Sequence, residues 1–173
     1  MSTALSIRNT DNREVFSVNF PNQIFEEMQK IHNEIARQAF GLFERRGGNG
    51  GNALEDWLRA ESNVLRPIPI SITNEKDHLK VTAEVPGFAI NELKVHIDGR
   101  ELRICGSSEN KTDKGSKKSG DQEISTSSRK ICRSITLPAA VKADVSSAVL
   151  DEDVLTLTLP KAEPAKEIPV KAA

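Results

Sequence analysis

The sequence lacks a large excess of either charge. Its 24 basic and 25 acidic residues give a formal net charge of −1. Proteins that bind nucleic acids draw much of their affinity from basic side chains that displace counterions. We therefore expect no nucleic-acid partner.

Long hydrophobic runs and a cysteine framework are also missing. No apolar run reaches the roughly 20 residues that a membrane helix needs, and "MSTALSIRNTDNREVF" lacks the order of a signal peptide. The two cysteines, Cys105 and Cys132, are too few for a disulfide framework and are expected to be reduced thiols. Alternation turns both away from the face of Ile104 and Ile131, so we expect outward-facing residues and leave open whether they are close. A cytoplasmic protein without a membrane span is predicted.

Catalytic and metal-binding patterns are absent from the sequence. The chain has no CxxC, GxSxG, HExxH or Walker-type motif, and its three histidines fall on different segments. His96 lies on the polar side of an alternating segment, which predicts a surface histidine. The sequence therefore favours a protein that is not an enzyme and uses no cofactor or metal.

Residues 1–66 differ from the rest of the chain because their apolar residues recur at helical spacing. A stripe from Ile24 to Phe43 predicts a helix from Asn22, its N-cap, to Arg46. "GGNGG" ends that helix, and Asn52 with Glu55 resembles a capping box that begins a second helix. The apolar face of the second helix is predicted to contain Leu54, Trp57, Leu58 and Leu65.

From Pro67 to Lys161 the hydrophobic period changes to two. Six or seven short alternating segments separated by turns predict an all-β fold, an immunoglobulin-like antiparallel β-sandwich. "HIDGREL" predicts a hairpin with its turn at Asp98–Gly99, and "VPGF" predicts another turn.

Two polar segments complete the domain organisation. Residues 106–128 form a long Ser-, Lys- and Gly-rich stretch, interpreted as either a disordered loop or a functional excursion. Residues 162–173 form a flexible C-terminal tail in which Pro169 separates Ile168 from Val170. The predicted organisation is an arm at 1–66, a sandwich at 67–161 and a tail at 162–173.

Four segments, in this order, resemble the small heat-shock protein family of the bacterial and plant type, which carries an α-crystallin domain. They are "AEVPGF" (83–88), "SRKICRSITLP" (128–138), "AVLDEDVLTLTLPK" (148–161) and "IPV" (168–170). The resemblance covers residues 67–170. Asp153 departs from it by standing where the family signature has glycine, and aspartate is among the residues that accept such a turn.

The resemblance implies an ATP-independent chaperone, a holdase, that captures unfolding clients as an exchanging homo-oligomer built from dimers. It makes Ile168, Pro169 and Val170 an oligomer anchor for a groove between the strands that contain Val95 and Val149. It gives dimer or structural roles to Arg133, at the family's characteristic arginine, and to Gly87 and Leu155. The client-binding arm is expected to use Phe16, Phe20, Ile24, Phe25, Met28 and Trp57. Related proteins also swap a strand through the loop after Ile104; here residues 123–128 are the only β-like piece of that loop, so an intrachain loop and a swapped strand both stay open.

Two interpretations of the apolar arm remain. It either shares one core with the sandwich or serves self-association and client contact, which we favour because a sandwich of this size folds by itself. The alternative function, from another class, is a single-sandwich scaffold or co-chaperone module that docks on one specific partner. Such a module needs neither the arm nor the tail anchor.

Overall fold

The structure is a computed structural model that describes residues 14–16, 21–48, 50–113 and 124–163. Its elements are β1 (Glu14–Phe16), α1 (Pro21–Arg45), α2 (Ala53–Val64), β2 (Ile70–Asn74), β3 (His78–Glu84), β4 (Leu93–Asp98), β5 (Glu101–Asp113), β6 (Ile124–Thr136), β7 (Ser147–Asp151) and β8 (Val154–Pro160). Short 3₁₀ turns at 90–92 and 143–145 precede β4 and β7.

The strands form two antiparallel sheets. The large sheet has the strand order β1-β7-β8-β3-β2, and the small sheet has the order β4-β5-β6. Every strand pairing is antiparallel. The predicted β-sandwich with a helical N-terminal region is confirmed.

Alternation along the strands places one apolar face of each sheet in a shared core. In β3 and β8 every second residue is buried, as the period of two predicts. The inward side chains come from both sheets and include Leu79, Val81, Leu155, Leu157, Val95, Ile97, Leu102 and Ile104. The hairpin predicted from "HIDGREL" joins β4 to β5, with Asp98 paired to Glu101 and the positive φ at Gly99.

The two helices form a helical hairpin, residues 21–64, as their period predicts. Asn52 is the N-cap of α2, since its side-chain oxygen accepts a hydrogen bond of 2.9 Å from the backbone N–H of Leu54. Asn22 is not a cap, because α1 begins one residue earlier, at Pro21, which is a favoured residue for the first helical position.

A bidentate ion pair closes the helical hairpin across its glycine-rich turn. Arg46 donates to the two carboxylate oxygens of Asp56 at 2.5 and 2.6 Å, and Asp56 is buried. Gly51 has a φ of +91°, and a Cβ there would lie 2.6 Å from the Arg46 guanidinium. The positive φ therefore favours glycine at this position, and a side chain there would require the Arg46 guanidinium to shift.

The helical hairpin packs on the outer face of the small sheet, where α1 contacts β4 and β5. The hairpin and Cys132 share a small apolar cluster that includes Ile31, Ile35 and Ala60. His96 is consequently only 8% exposed, with its ring 5.6 Å from that of Phe25. The prediction of a surface histidine was wrong, because alternation identified the outer face but not the helix that covers it.

No helix among residues 21–48 and 50–113 is long and apolar enough to cross a bilayer.

Candidate functional site

The excursion at 106–128 is largely a continuation of the β5–β6 hairpin. Pairing runs without a break from Glu101–Thr136 to Asp113–Ile124. The β-like piece at 123–128 therefore contributes the start of β6 and pairs with β5 of the same chain from Ile124 onward. Residues 114–123 lie outside the described residues. As far as the structure describes it, the segment forms a hairpin within this single chain.

The two valines predicted to line the anchor groove lie in different surroundings. Val95 on β4 is buried in the sandwich core, whereas Val149 on β7 is half-buried. β1 pairs with β7, and Val15 lies opposite Val149 in this pairing. β1 is therefore the edge strand of the large sheet on this side. The anchor itself, Ile168, Pro169 and Val170, lies outside the described residues.

Arg133 and Leu155 occupy contrasting positions. Arg133 is exposed on β6, opposite Ile104 of β5. Leu155 on β8 is fully buried and lies between Ala83 and Leu150 in the large sheet. An exposed arginine on an edge strand is open to intermolecular contact, while Leu155 belongs to the core.

Gly87 and Asp153 form one turn-to-turn contact between distant parts of the chain. Gly87 has a φ of +77°, and the guanidinium of Arg129 fills the space that a Cβ would need. The Gly87 N–H donates to the Asp153 carboxylate at 3.1 Å, and the Val85 N–H donates to the Asp153 carbonyl at 2.7 Å. Asp153 itself has a φ of +68°. The residue that departs from the family signature therefore adopts the conformation of a glycine and adds a hydrogen bond.

This geometry predicts different outcomes for two substitutions of Asp153. Asp153→Ala loses a hydrogen bond worth about 0.5–1.5 kcal/mol and does not relieve the left-handed backbone that Asp153 already adopts. Asp153→Gly loses the same hydrogen bond but relieves the backbone, so its free energy of unfolding should stay near that of the wild type. Urea unfolding of both variants measures the difference. Equal destabilisation by Ala and Gly would contradict the backbone argument.

The predicted client-binding side chains differ in exposure. Ile24 is fully buried, while Met28 and Trp57 are half-buried. Phe25 is half-exposed and lies against His96 and under the guanidinium of Arg103, 5.8 Å from its ring centroid. The side chain of Phe16 and all of Phe20 lie outside what the structure describes.

A different set of large apolar side chains is open to solvent on the helical hairpin. Phe40 on α1 is 60% exposed, and Leu54 and Leu58 on α2 are 60% and 52% exposed. The ring of Phe43 lies 6.1 Å from that of Phe40 and is also exposed. We call Phe40, Phe43, Leu54 and Leu58 the exposed apolar set. Sequence reasoning missed Phe40, although an aromatic residue off the Ile24–Ile31–Ile35 face of the helix was the available signal.

The buried face of α2 also differs from the prediction. Asp56 and Ala60 are buried, and Trp57, Val64 and Leu65 are half-buried. Leu54 and Leu58 instead point to solvent, because α2 packs on one side, against α1 and the apolar cluster that includes Cys132. Its inner face is therefore built around Ala60.

The two cysteines form a disulfide bond, so the prediction of reduced thiols was wrong. Cys105 and Cys132 are directly opposite on β5 and β6. Both point away from Ile104 and Ile131, as predicted, yet Cys105 is fully buried and Cys132 half-buried beneath the helical hairpin. In the described part of the chain, no group of three or more His, Cys, Asp or Glu residues is placed to hold a metal ion.

A two-sheet sandwich with this hairpin and these turns can be compared with known families. The model of the Hsp20/alpha crystallin family matches residues 71–172, which is more than half of the 173-residue chain. The chain belongs to this family, whose members are small heat-shock chaperones. A second family model, described only as a protein of unknown function, matches residues 32–66, within the helical region.

Individual relatives are named as heat shock proteins. Heat shock protein 16 of Schizosaccharomyces pombe is 31% identical over 109 residues, which cover 59% of this chain and 73% of that protein. A 17.3 kDa class I heat shock protein of Glycine max is 38% identical over 82 residues, 47% of this chain and 52% of that protein. Among solved structures, heat shock protein 16.0 from Schizosaccharomyces pombe aligns with a TM-score of 0.45 and 28% identity, covering 62% of this chain and 98% of that one. The chain thus spans about half to three quarters of these two curated relatives.

Proposed function

We propose that this protein is an ATP-independent holdase of the cytoplasm. It binds unfolding proteins, prevents their aggregation and works as an exchanging homo-oligomer built from dimers. The proposed units are the arm at 1–66, the α-crystallin domain at 67–161 and the tail at 162–173. No ATP, metal, cofactor or nucleic acid takes part in this proposal.

One observation carries the proposal: an α-crystallin sandwich bears a helical hairpin that exposes several large apolar side chains to solvent. The exposed apolar set presents two phenylalanines and two leucines to solvent. Isolated exposed apolar residues are common, but a group of large ones on a single small element is typical of an interaction site. Unfolding proteins expose apolar surface of the same kind, and its burial against the hairpin drives capture.

The docked side of the helical hairpin provides further apolar surface. Ile24, Ile31 and Ile35 are buried in the folded chain, and they become available only when the helices leave the small sheet. In this proposal the exposed apolar set makes the first contact with a client, and the predicted arm residues extend that contact after undocking. A scaffold module that binds one specific partner has no need for this second surface.

The client-binding proposal is tested by heating a model protein with and without stoichiometric amounts of the full chain. Turbidity should fall, and Phe40→Ser/Phe43→Ser or Leu54→Ser/Leu58→Ser should weaken that protection several-fold. As a matched control, Ser62→Ala and Asn63→Ala change neighbouring exposed positions of α2 and should leave protection unchanged. Absence of any suppression by the wild type would favour the scaffold function instead.

The oligomer is proposed to depend on the tail anchor. Burying Ile168 and Val170 would contribute about 1.5–3 kcal/mol each, while ordering each tail residue costs about 1–2 kcal/mol. One anchor is therefore weak, and many anchors in one assembly act together through effective concentration. Because β1 occupies the edge of β7 that does not pair with β8, a tail that pairs with the Val149 strand must displace β1.

Removing the anchor should reduce the size of the assembly. Ile168→Ala/Val170→Ala is expected to lower the mass measured by light scattering to that of small species, with the sandwich still folded. Glu167→Ala/Lys171→Ala changes the flanking charges only and serves as the control. A double anchor variant with unchanged mass, or a monomeric wild type, would refute the anchoring model.

A further inference from the structure

The disulfide lies at the interface between the helical hairpin and the small sheet. Cys105 and Cys132 form a directly opposed pair on the outer face of that sheet, the face turned away from the sandwich core. The side chain of Cys132 packs with Ile31, Ile35 and Ala60 of the two helices. A chemical change at Cys132 therefore alters its contacts with the helical hairpin, whereas the sandwich core lies on the other face of the sheet.

Polar and aromatic contacts also link the helical hairpin to the sheet. Lys130 forms an ion pair with Glu34 of α1, and the Arg66 N–H donates to the Lys130 carbonyl at 2.9 Å. Phe25 contacts His96 and Arg103. Cys132 packs on the apolar cluster of the helical hairpin, so a polar or bulky group placed on its sulfur opposes docking.

The surroundings of the disulfide suit thiol–disulfide exchange. Lys94 lies directly opposite Cys105 on β4, and Lys130 lies two residues from Cys132 on the same face. A lysine opposite the pair, such as Lys94, favours the thiolate forms that exchange produces and consumes, whereas the ammonium of Lys130 is paired with Glu34. Cys105 is 0% exposed while Cys132 is half-buried, so Cys132 is the more accessible residue of the two.

We infer that the Cys105–Cys132 disulfide is an exchange site for small-molecule thiols whose reaction releases the helical hairpin from the small sheet. In a reducing compartment a disulfide of this kind is typically transient and regulatory. The consequence for clients, exposure of Ile24, Ile31 and Ile35, rests on the function proposed above; the exchange and the release do not.

The reaction balances with two thiol molecules. The thiolate of the first attacks the sulfur of Cys132, the Cys105–Cys132 bond breaks, and Cys105 leaves as a thiolate that takes up a proton. The product is a mixed disulfide on Cys132, which places a bulky substituent beneath Ile31, Ile35 and Ala60. A second thiolate attacks the sulfur of the small molecule, releasing the Cys132 thiolate and a small-molecule disulfide. The same steps in reverse restore the protein disulfide.

The test uses the full chain, with reduced and oxidised glutathione as probes and hydrogen exchange read by mass spectrometry. Mass analysis should find the adduct on Cys132 and not on Cys105. Amide exchange in α1 and α2 should rise on adduct formation at least tenfold more than exchange in β3 and β8 of the large sheet, where it rises only through the lost cross-link. The Cys105→Ala/Cys132→Ala variant is the control and should not respond to the probes.

Each outcome bears on one step. An adduct on Cys105 alone, no reaction with either probe, or unchanged exchange in α1 and α2 overturns the inference. A uniform rise across helices and both sheets also overturns it, because that result describes global destabilisation. Release of the helices without improved protection of a heated client supports the exchange site and counts against the arm-release step of the proposed function.

Discussion

Leu155→Ala should remove about 2–5 kcal/mol from the free energy of unfolding. Leu155 is 0% exposed and packs among side chains from both sheets. Truncating a buried leucine loses the transfer free energy of the removed atoms and leaves a cavity that the neighbours fill only in part. In a chain of this size each kcal/mol corresponds to roughly 2–4 °C in the midpoint of thermal unfolding, so the midpoint should fall by about 4–20 °C.

The matched control is the same substitution on the helical hairpin. Leu58 is 52% exposed, and Leu58→Ala should change the free energy of unfolding by no more than about 0.5 kcal/mol. The two leucines thus separate the roles that the structure assigns, since Leu155 supports the fold and Leu58 belongs to the exposed apolar set. Calorimetry of both variants gives the comparison, and similar midpoints would mean that Leu155 is not in a packed core.

The sandwich could be predicted because each pattern that specifies its strands and turns lies within a short stretch of sequence. Alternation in β3 and β8 and the turn at Gly99 depend on neighbours within a few residues of each other. The same holds for the helical hairpin, whose period, N-cap Asn52 and glycine-rich turn lie within one stretch. These signals agree with one another, which is why the types of these strands and helices were predicted correctly.

The covering of the outer face could not be predicted in the same way. His96, Cys105 and Cys132 were assigned to the correct face, yet their burial depends on a helix that lies far away along the chain. The Glu34–Lys130 pair, which helps to hold that helix, joins residues 96 positions apart. Alternation predicts on which face of the sheet a side chain lies. It does not predict which distant segment of the chain packs on that face.

The stripe of α1 and the strand β1 show a second limit of prediction from the sequence. The periodic stripe of α1 identified Ile24, Ile31 and Ile35 as one surface, but periodicity is the same whether a stripe packs internally or binds a partner. In the folded chain these residues are buried, and the exposed apolar set lies elsewhere on the hairpin. Likewise, the short pairing of β1 with β7 involves three residues, too few to produce a recognisable period.

Loss of the disulfide should destabilise the chain by about 3–4 kcal/mol, because Cys105 and Cys132 are separated by 27 residues and a cross-link of that span restricts the unfolded chain by this amount. The thermal midpoint of the wild type should then fall by roughly 6–16 °C when a phosphine reductant is added. The Cys105→Ala/Cys132→Ala variant should unfold near the lower midpoint with or without reductant. If the wild-type midpoint does not respond to reductant while the thiols are shown to be free, the cross-link adds nothing to stability. The effect of the disulfide would then be confined to docking of the helical hairpin, because Cys132 contacts the helices directly whereas the sandwich core lies on the opposite face of the sheet.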